Sequence, residues 1–159
     1  MASQTDEIFQ DNGYAIDVGD DFRNHVRSVL DHSVLPNAER WEKQGKIDRQ
    51  GWRALGRQGV LGLAHNGPRF LQSAVYLDEL GQLGYAGIRA AIGVHSYMAL
   101  SYLELFGTDP QKTQYLRDAR QGLRIAGLAI SEANSGSNLG GLATRADPGQ
   151  FQRQSQPGG

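Results

Sequence analysis

Between Phe22 and Leu116, apolar residues return every three or four positions, and glycine or proline interrupts the runs. That spacing places them along one face of a helix, so the chain is predicted to fold as a succession of packed helices. Phe22, Val26, Val29, Leu30 and Val34 form the first run, with Asp20 or Asp21 as its cap and Pro36 as an end or kink. Asp48 caps a helix with Trp52 and Leu55 on one face, and Gly59 or Gly62 ends it. Phe70, Leu71, Ala74, Val75, Leu77 and Leu80 make a wider stripe. Ile88, Ile92, Ala99, Leu100, Leu103 and Phe106 mark a helix that is apolar over much of its circumference, as a central one would be. Asp109 caps and Pro110 opens the last helix, which carries Tyr115 and Leu116 and closes at Gly122. The pattern predicts five or six helices and contains no internal repeat.

Composition narrows the functional classes. A chain of 159 residues with a net charge of −1 can bury a real core and has no basic excess for nucleic acid or lipid headgroups. Cysteine is absent, which removes disulfides and thiolate chemistry and fits a cytoplasmic address. No apolar stretch approaches membrane-spanning length, and MASQTDEIFQ lacks the regions of a signal peptide. His25 and His32 stand seven apart with no acidic or histidine partner at metal spacing, so no metal site is assigned. His65, in the turn Ala64-His65-Asn66-Gly67-Pro68, reads by default as a solvated loop residue. Trp41 reads as a core or interface anchor. Asp78 and Glu79 are adjacent, so on a helix they diverge and serve as surface or packing charges rather than a catalytic pair.

The character of the sequence changes after Gly122. Leu123, Ile125, Leu128, Ala129 and Ile130 form a short apolar run bounded by glycines, which predicts a strand. It leads into Ser131-Glu132-Ala133-Asn134-Ser135-Gly136-Ser137-Asn138-Leu139-Gly140-Gly141. By residue type this stretch is either a solvent-exposed turn or a loop whose amides and serine hydroxyls cradle an anion. Neither the Gly-Lys-Ser/Thr of a P-loop nor a GxGxxG opening a helix is present.

AISEANSGSN resembles the flavin-binding signature of acyl-CoA dehydrogenases, an apolar strand ending in Thr/Ser-Glu-Pro followed by Gly-Ser-Asp. Ser131-Glu132 and Gly136-Ser137 match; Ala133 stands for the proline and Asn138 for the aspartate. LGRQGVLGL, YLDELGQLG and FGTDPQKTQYL are similar to further family segments in the same order, so the resemblance spans roughly Asp20 to Ala146. It implies a mainly α fold: an up-and-down helical bundle like the family's N-terminal domain, followed by one or two short β-strands. The implied divisions are an arm at 1–19, a helical domain at 20–122, the start of a middle β domain with the flavin loop at 123–146, and an irregular tail at 147–159.

The resemblance also implies FAD as cofactor. Leu128, Ile130 and Ser131 would contact the flavin ring, with the Ser131 hydroxyl toward N5, and Gly136 and Ser137 would hold the pyrophosphate. Arg89, Gly93 and Ser96, together with Ser137, would line the substrate side. If Arg89 faces the acyl tunnel, a polar or carrier-linked acyl group is favoured; if it points to solvent, it has no such effect. The implied reaction is α,β-dehydrogenation of an acyl thioester. The family's glutamate base belongs to a C-terminal bundle beyond the resemblance, so no catalytic residue is assigned, and the chain alone is expected to be inactive. Glu132 takes a structural role in the family. The implied partners are an acyl-CoA or acyl-carrier thioester, and either further copies of the chain or a second chain with the remaining domains. Other classes stay open: a non-catalytic fragment or interaction subunit of a split enzyme, or a relative acting on carrier-bound acyl groups or as a flavin monooxygenase.

Overall fold

A computed structural model describes residues 20–63 and 70–145. The expected arm at 1–19, the turn holding His65 and the tail at 147–159 lie outside the described residues. Helix α1 (Asp20–Val29) runs through a widened π turn, Leu30–Val34, into α2 (Leu35–Gln44). Of the two readings of Pro36, an end or a kink, the end is not seen: the helical path continues through it, with the irregular turn directly before the proline. It has no N–H to give to the carbonyl four residues back. The chain widens just before it, and the Leu35 N–H donates five residues back to Leu30 O. At Gly45 the backbone turns left-handed (φ 66°) and α2 stops.

Asp48 caps α3 (Arg49–Arg57) as expected, accepting the Gly51 N–H at 2.8 Å. The same carboxylate accepts from the Trp41 indole at 3.0 Å and from Arg40 at 2.7 Å. The three donors, the Gly51 amide foremost, hold its pKa down at about 2. Gly51 is required by packing, because a Cβ there would lie 2.4 Å from the Trp41 ring.

Helix α4 (Phe70–Gln82) packs on α1. Glu79 is buried and receives both Arg23 and Arg27, the latter at 2.9 Å, while exposed Asp78 takes Arg23 at 2.7 Å. The expected divergence is not seen, because both carboxylates meet the same Arg23 Nη1; their role as charges between packed helices holds. The expected central helix is α5 (Ala86–Gly93), a π turn at Val94–Ala99, and α6 (Leu100–Phe106). Glu42 of α2 caps α5 by accepting the Ile88 N–H at 2.8 Å. Helix α7 (Asp109–Arg120) follows. Its cap is Thr108 rather than Asp109: Thr108 and Gln111 form a reciprocal capping box, which places Asp109 and Pro110 in the first turn.

One apolar cluster runs from Val26 to Ile92 and includes Trp41, Trp52, Leu55 and Tyr76. A smaller one joins Leu100, Leu116 and Ala119, with Leu103 and Ala126 packed against it. The chain divides into two compact units, Met1–Leu128 and Ala129–Gly159. The strand expected over 123–130 does not form. A strand needs a neighbour to receive its N–H and C=O groups, and among the described residues the sole β pairing is the bridge between Glu132 and Ser135. The chain is mainly helical, as the sequence implies, and the described residues lack the short strands of the expectation.

Candidate functional site

The loop after Ala129 is held by hydrogen bonds rather than by an apolar core. Glu132 and Ser135 exchange backbone bonds, N–H to O, at 2.8 and 3.2 Å, closing a tight turn through Ala133 and Asn134. Ser135 is the one buried residue of the described part of this unit, and its hydroxyl donates to Asn138 O at 2.8 Å. Asn138 O also accepts the Gly141 N–H at 3.1 Å, at the end of a single 3₁₀ turn, Leu139–Gly141.

The Glu132 carboxylate then ties the far end back. One oxygen accepts the Ala143 N–H at 2.9 Å and the other the Thr144 N–H at 2.8 Å. The Thr144 hydroxyl, then these amides, hold its pKa below the ordinary 4.5. A carboxylate so occupied is a closure for the loop and not a free base, in keeping with the structural role expected of it.

Ser131, Gly136 and Ser137 are exposed, whereas Leu128 and Ile130 are half-buried. Among the described residues, the Gly136 and Ser137 amides have no hydrogen-bond partner. Gly136, Gly140 and Gly141 do not supply left-handed backbone to the loop. None has a positive φ; among the described residues the left-handed glycines are Gly45, Gly59, Gly62, Gly84 and Gly122. A Cβ at Gly136 would meet nothing within 4 Å. The loop's own packing does not require glycine there. Two free amides beside small hydroxyl side chains have the donor chemistry of an anion site.

The substrate-side residues lie on the α5–α6 rod. Arg89 is exposed and edges a shallow depression with Gly81, Gly84, Tyr85 and Ala86. Gly93 stands one turn on, and a Cβ there would meet nothing within 4 Å. Ser96 is buried and turned inward: its hydroxyl accepts the Gly62 N–H at 3.1 Å. The structure thus sets Arg89 and Gly93 on adjacent turns and engages Ser96 with the body of the protein. His25 and His32 are exposed, donating to Gln58 O at 3.1 Å and Ser28 O at 2.7 Å. Among the described residues no cluster of three or more His, Cys, Asp or Glu could hold a metal, and no helix is long and apolar enough to cross a membrane.

The sequence reading missed His95. It is fully buried in the π turn, its ring edge-on to Trp52 at 5.0 Å. Nε2–H donates to Ala119 O at 3.2 Å and Nδ1 accepts the Ala126 N–H at 3.1 Å. The available signal was a polar ring between Ile92 and Ala99, on the stripe that was read as apolar.

Comparison with known proteins gives a consistent result. The family described as acyl-CoA dehydrogenase, N-terminal domain, matches residues 19–122. The long-chain specific mitochondrial acyl-CoA dehydrogenase of Rattus norvegicus is 32% identical over 133 residues, covering 80% of this chain and 30% of that protein. A glutaryl-CoA dehydrogenase structure from Mycobacterium smegmatis aligns with a TM-score of 0.68 and 30% identity, over 79% of this chain and 34% of that one. A further glutaryl-CoA dehydrogenase structure from that organism, in complex with FADH2, shares the fold at a TM-score of 0.65 and 24% identity, over 77% of this chain and 33% of its own. The chain spans about a third of the length of these relatives.

Proposed function

The chain belongs to the acyl-CoA dehydrogenase family, through that family's N-terminal domain, and from this premise we propose that it forms the helical body and flavin-side loop of an FAD-dependent acyl-thioester dehydrogenase. The observation that carries the reading is the loop itself: tied shut by Glu132, it presents the unpartnered amides of Gly136 and Ser137 beside exposed serines. These groups fit a diphosphate, which is acceptor-only and favours several N–H and O–H donors at once. Gly136 and Ser137 would hold the pyrophosphate, and Leu128, Ile130 and Ser131 would contact the flavin ring, with the Ser131 hydroxyl as a donor toward it. Bound FAD supplies the acceptor for the hydride that leaves the β carbon. On the same reading Arg89, Gly93, Ser96 and Ser137 belong to the acyl side, although the Ser96 hydroxyl is taken up by the Gly62 N–H. Open space at Gly93 supports this, while the solvent exposure of Arg89 leaves a plain acyl chain admissible.

No catalytic base is assigned to this chain, and Glu132, which already accepts from Ala143 and Thr144, is not promoted to one. The α proton is therefore removed by a group outside these residues, supplied by further domains or by a partner chain, and a homo-oligomer of cytoplasmic address belongs to the same reading. The test is titration of the purified chain with FAD, followed by an acyl-CoA and an electron acceptor. The expected result is stoichiometric uptake of flavin without turnover. A chain that takes up no FAD overturns the cofactor assignment, and turnover overturns the missing base.

A second reading, a non-catalytic interaction subunit, draws support from one observation. The end of α6 leaves Tyr102, Leu105 and Phe106 between 53% and 76% exposed, more apolar surface than one short helix ordinarily leaves to water. Co-purification with a second chain in the absence of flavin would favour it.

A further inference from the structure

His95 is the one buried imidazole described, and both of its nitrogens are committed to backbone. Nε2–H donates to Ala119 O, near the end of α7, and Nδ1 accepts from the Ala126 N–H. The two bonds together define the tautomer: the proton is on Nε2, and the ring is neutral. A protonated ring would turn a second N–H against the Ala126 N–H, donor to donor. The ring has no room to swing away, because Trp52 packs edge-on against it.

The surroundings are equally constrained. Ala119 O also receives the Gly122 N–H at 3.0 Å. Gly122 lies so close to α3 that a Cβ would sit 2.0 Å from Trp52 O, and its φ is 68°. The backbone leaving α7 is thus pressed onto α3 at Gly122 and caught again at Ala126. Among the described residues, the His95 bond is the last that a side chain of the helical unit makes to the backbone before Ser131.

We propose that His95 is a positioning residue for Leu128, the flavin contact at the end of the helical unit: through one neutral tautomer it fixes Ala126, two residues before it. It does not touch the reacting atoms. The contribution to flavin binding rests on the function proposed above; the anchoring of Ala126 does not.

Two near-isosteric variants separate the bonds. In His95→Asn the side-chain oxygen falls near the Nδ1 position and can still accept from Ala126, while the donor to Ala119 is lost. In His95→Gln the amide nitrogen falls near Nε2 and can still donate to Ala119, while the acceptor for Ala126 is lost. Three quantities are measured on the full chain: hydrogen exchange at the Ala126 amide, the dissociation constant for FAD, and the unfolding midpoint. Loss of one hydrogen bond corresponds to about a tenfold change. His95→Gln is expected to speed Ala126 exchange about tenfold and to weaken FAD by a similar factor. His95→Asn is expected to leave both within about threefold of the parent, with a comparable fall in midpoint. A general packing role predicts that exchange and FAD affinity follow stability in both variants alike, and that result overturns the proposal. Separated exchange in a chain that takes up no FAD keeps the anchor and removes the flavin reading. Unseparated exchange in a chain that does bind FAD removes the anchor and keeps the flavin reading.

Discussion

The two units of this chain are held together by different physics. Up to Leu128 the fold rests on apolar burial: Trp41, Tyr76, Leu30, Leu55 and Ile92 are all less than 2% exposed. Among the described residues from Ala129 to Arg145 almost nothing is buried, and shape comes from backbone turns and a carboxylate closing the loop. Burial is non-directional and cooperative, whereas hydrogen bonds in water contribute little net free energy but fix geometry. The first unit is thereby suited to be a rigid body, and the second to present donors at set positions.

The strongest way to break this contrast is in the core. Trp41→Ala removes a large ring and its indole bond to Asp48, and should lower unfolding stability by about 4 kcal/mol in a denaturant titration. A change confined to the loop would mean that the helical unit is not held by its core. Next is Glu79→Gln, which leaves Arg23 and Arg27 facing a neutral group at a buried position. It should cost about 2 kcal/mol, read by the same titration, and the variant should lose salt sensitivity if the ion pairs carry the effect.

Tyr76→Phe runs the other way. The Tyr76 hydroxyl is buried without a partner among the described residues, and burial pushes its pKa far above the ordinary 10. Removing it should raise stability by about 1 kcal/mol; a loss instead would reveal an unseen hydrogen bond.

The smallest global effect belongs to Glu132→Ala. The unfolding midpoint should stay put, while exchange at the Ala143 and Thr144 amides accelerates. The pH dependence has a definite sign. The folded carboxyl titrates below its ordinary 4.5, so closure is complete above that value and is lost as pH falls through the lowered one. Loop exchange in the parent protein should therefore rise on acidification. A loop that opened instead on raising the pH would contradict the assigned ties.

What could be read in advance follows the same division. Apolar periodicity exposed the helices because a helix that buries one face must repeat near 3.6 residues, and α3, α4 and the α5–α6 rod appear where that rule puts them. The Thr108 cap was displaced by one residue because Thr and Asp are both good caps, and the choice depends on which side chain reaches the third amide. The strand over 123–130 failed because pairing is a property of two segments, and a single segment's apolar pattern carries no information about its neighbour. His95 escaped notice because a stripe is recognised by its apolar members, and a polar residue on it is read as facing outward. In the loop, residue types suggested donors for an anion, but the closure by Glu132 joins residues eleven and twelve apart and has no local signature.

The π turn at Val94–Ala99 has a consequence for register. Its backbone bonds run five residues back, as the Leu100 N–H to His95 O bond shows, so the turn holds one residue more than an α-helix would place there. Removing a single residue between Val94 and Ala99 would let the rod close into regular α-helix and swing everything after it by about 100°. Leu100 and Ser101 would rotate out of their buried positions, and the exposed edge of Tyr102 and Leu105 would face another direction. A one-codon deletion at this place would therefore act as a dial on the orientation of α6, altering which side chains meet Leu116 and Ala119 of α7 while leaving the composition of the core nearly unchanged.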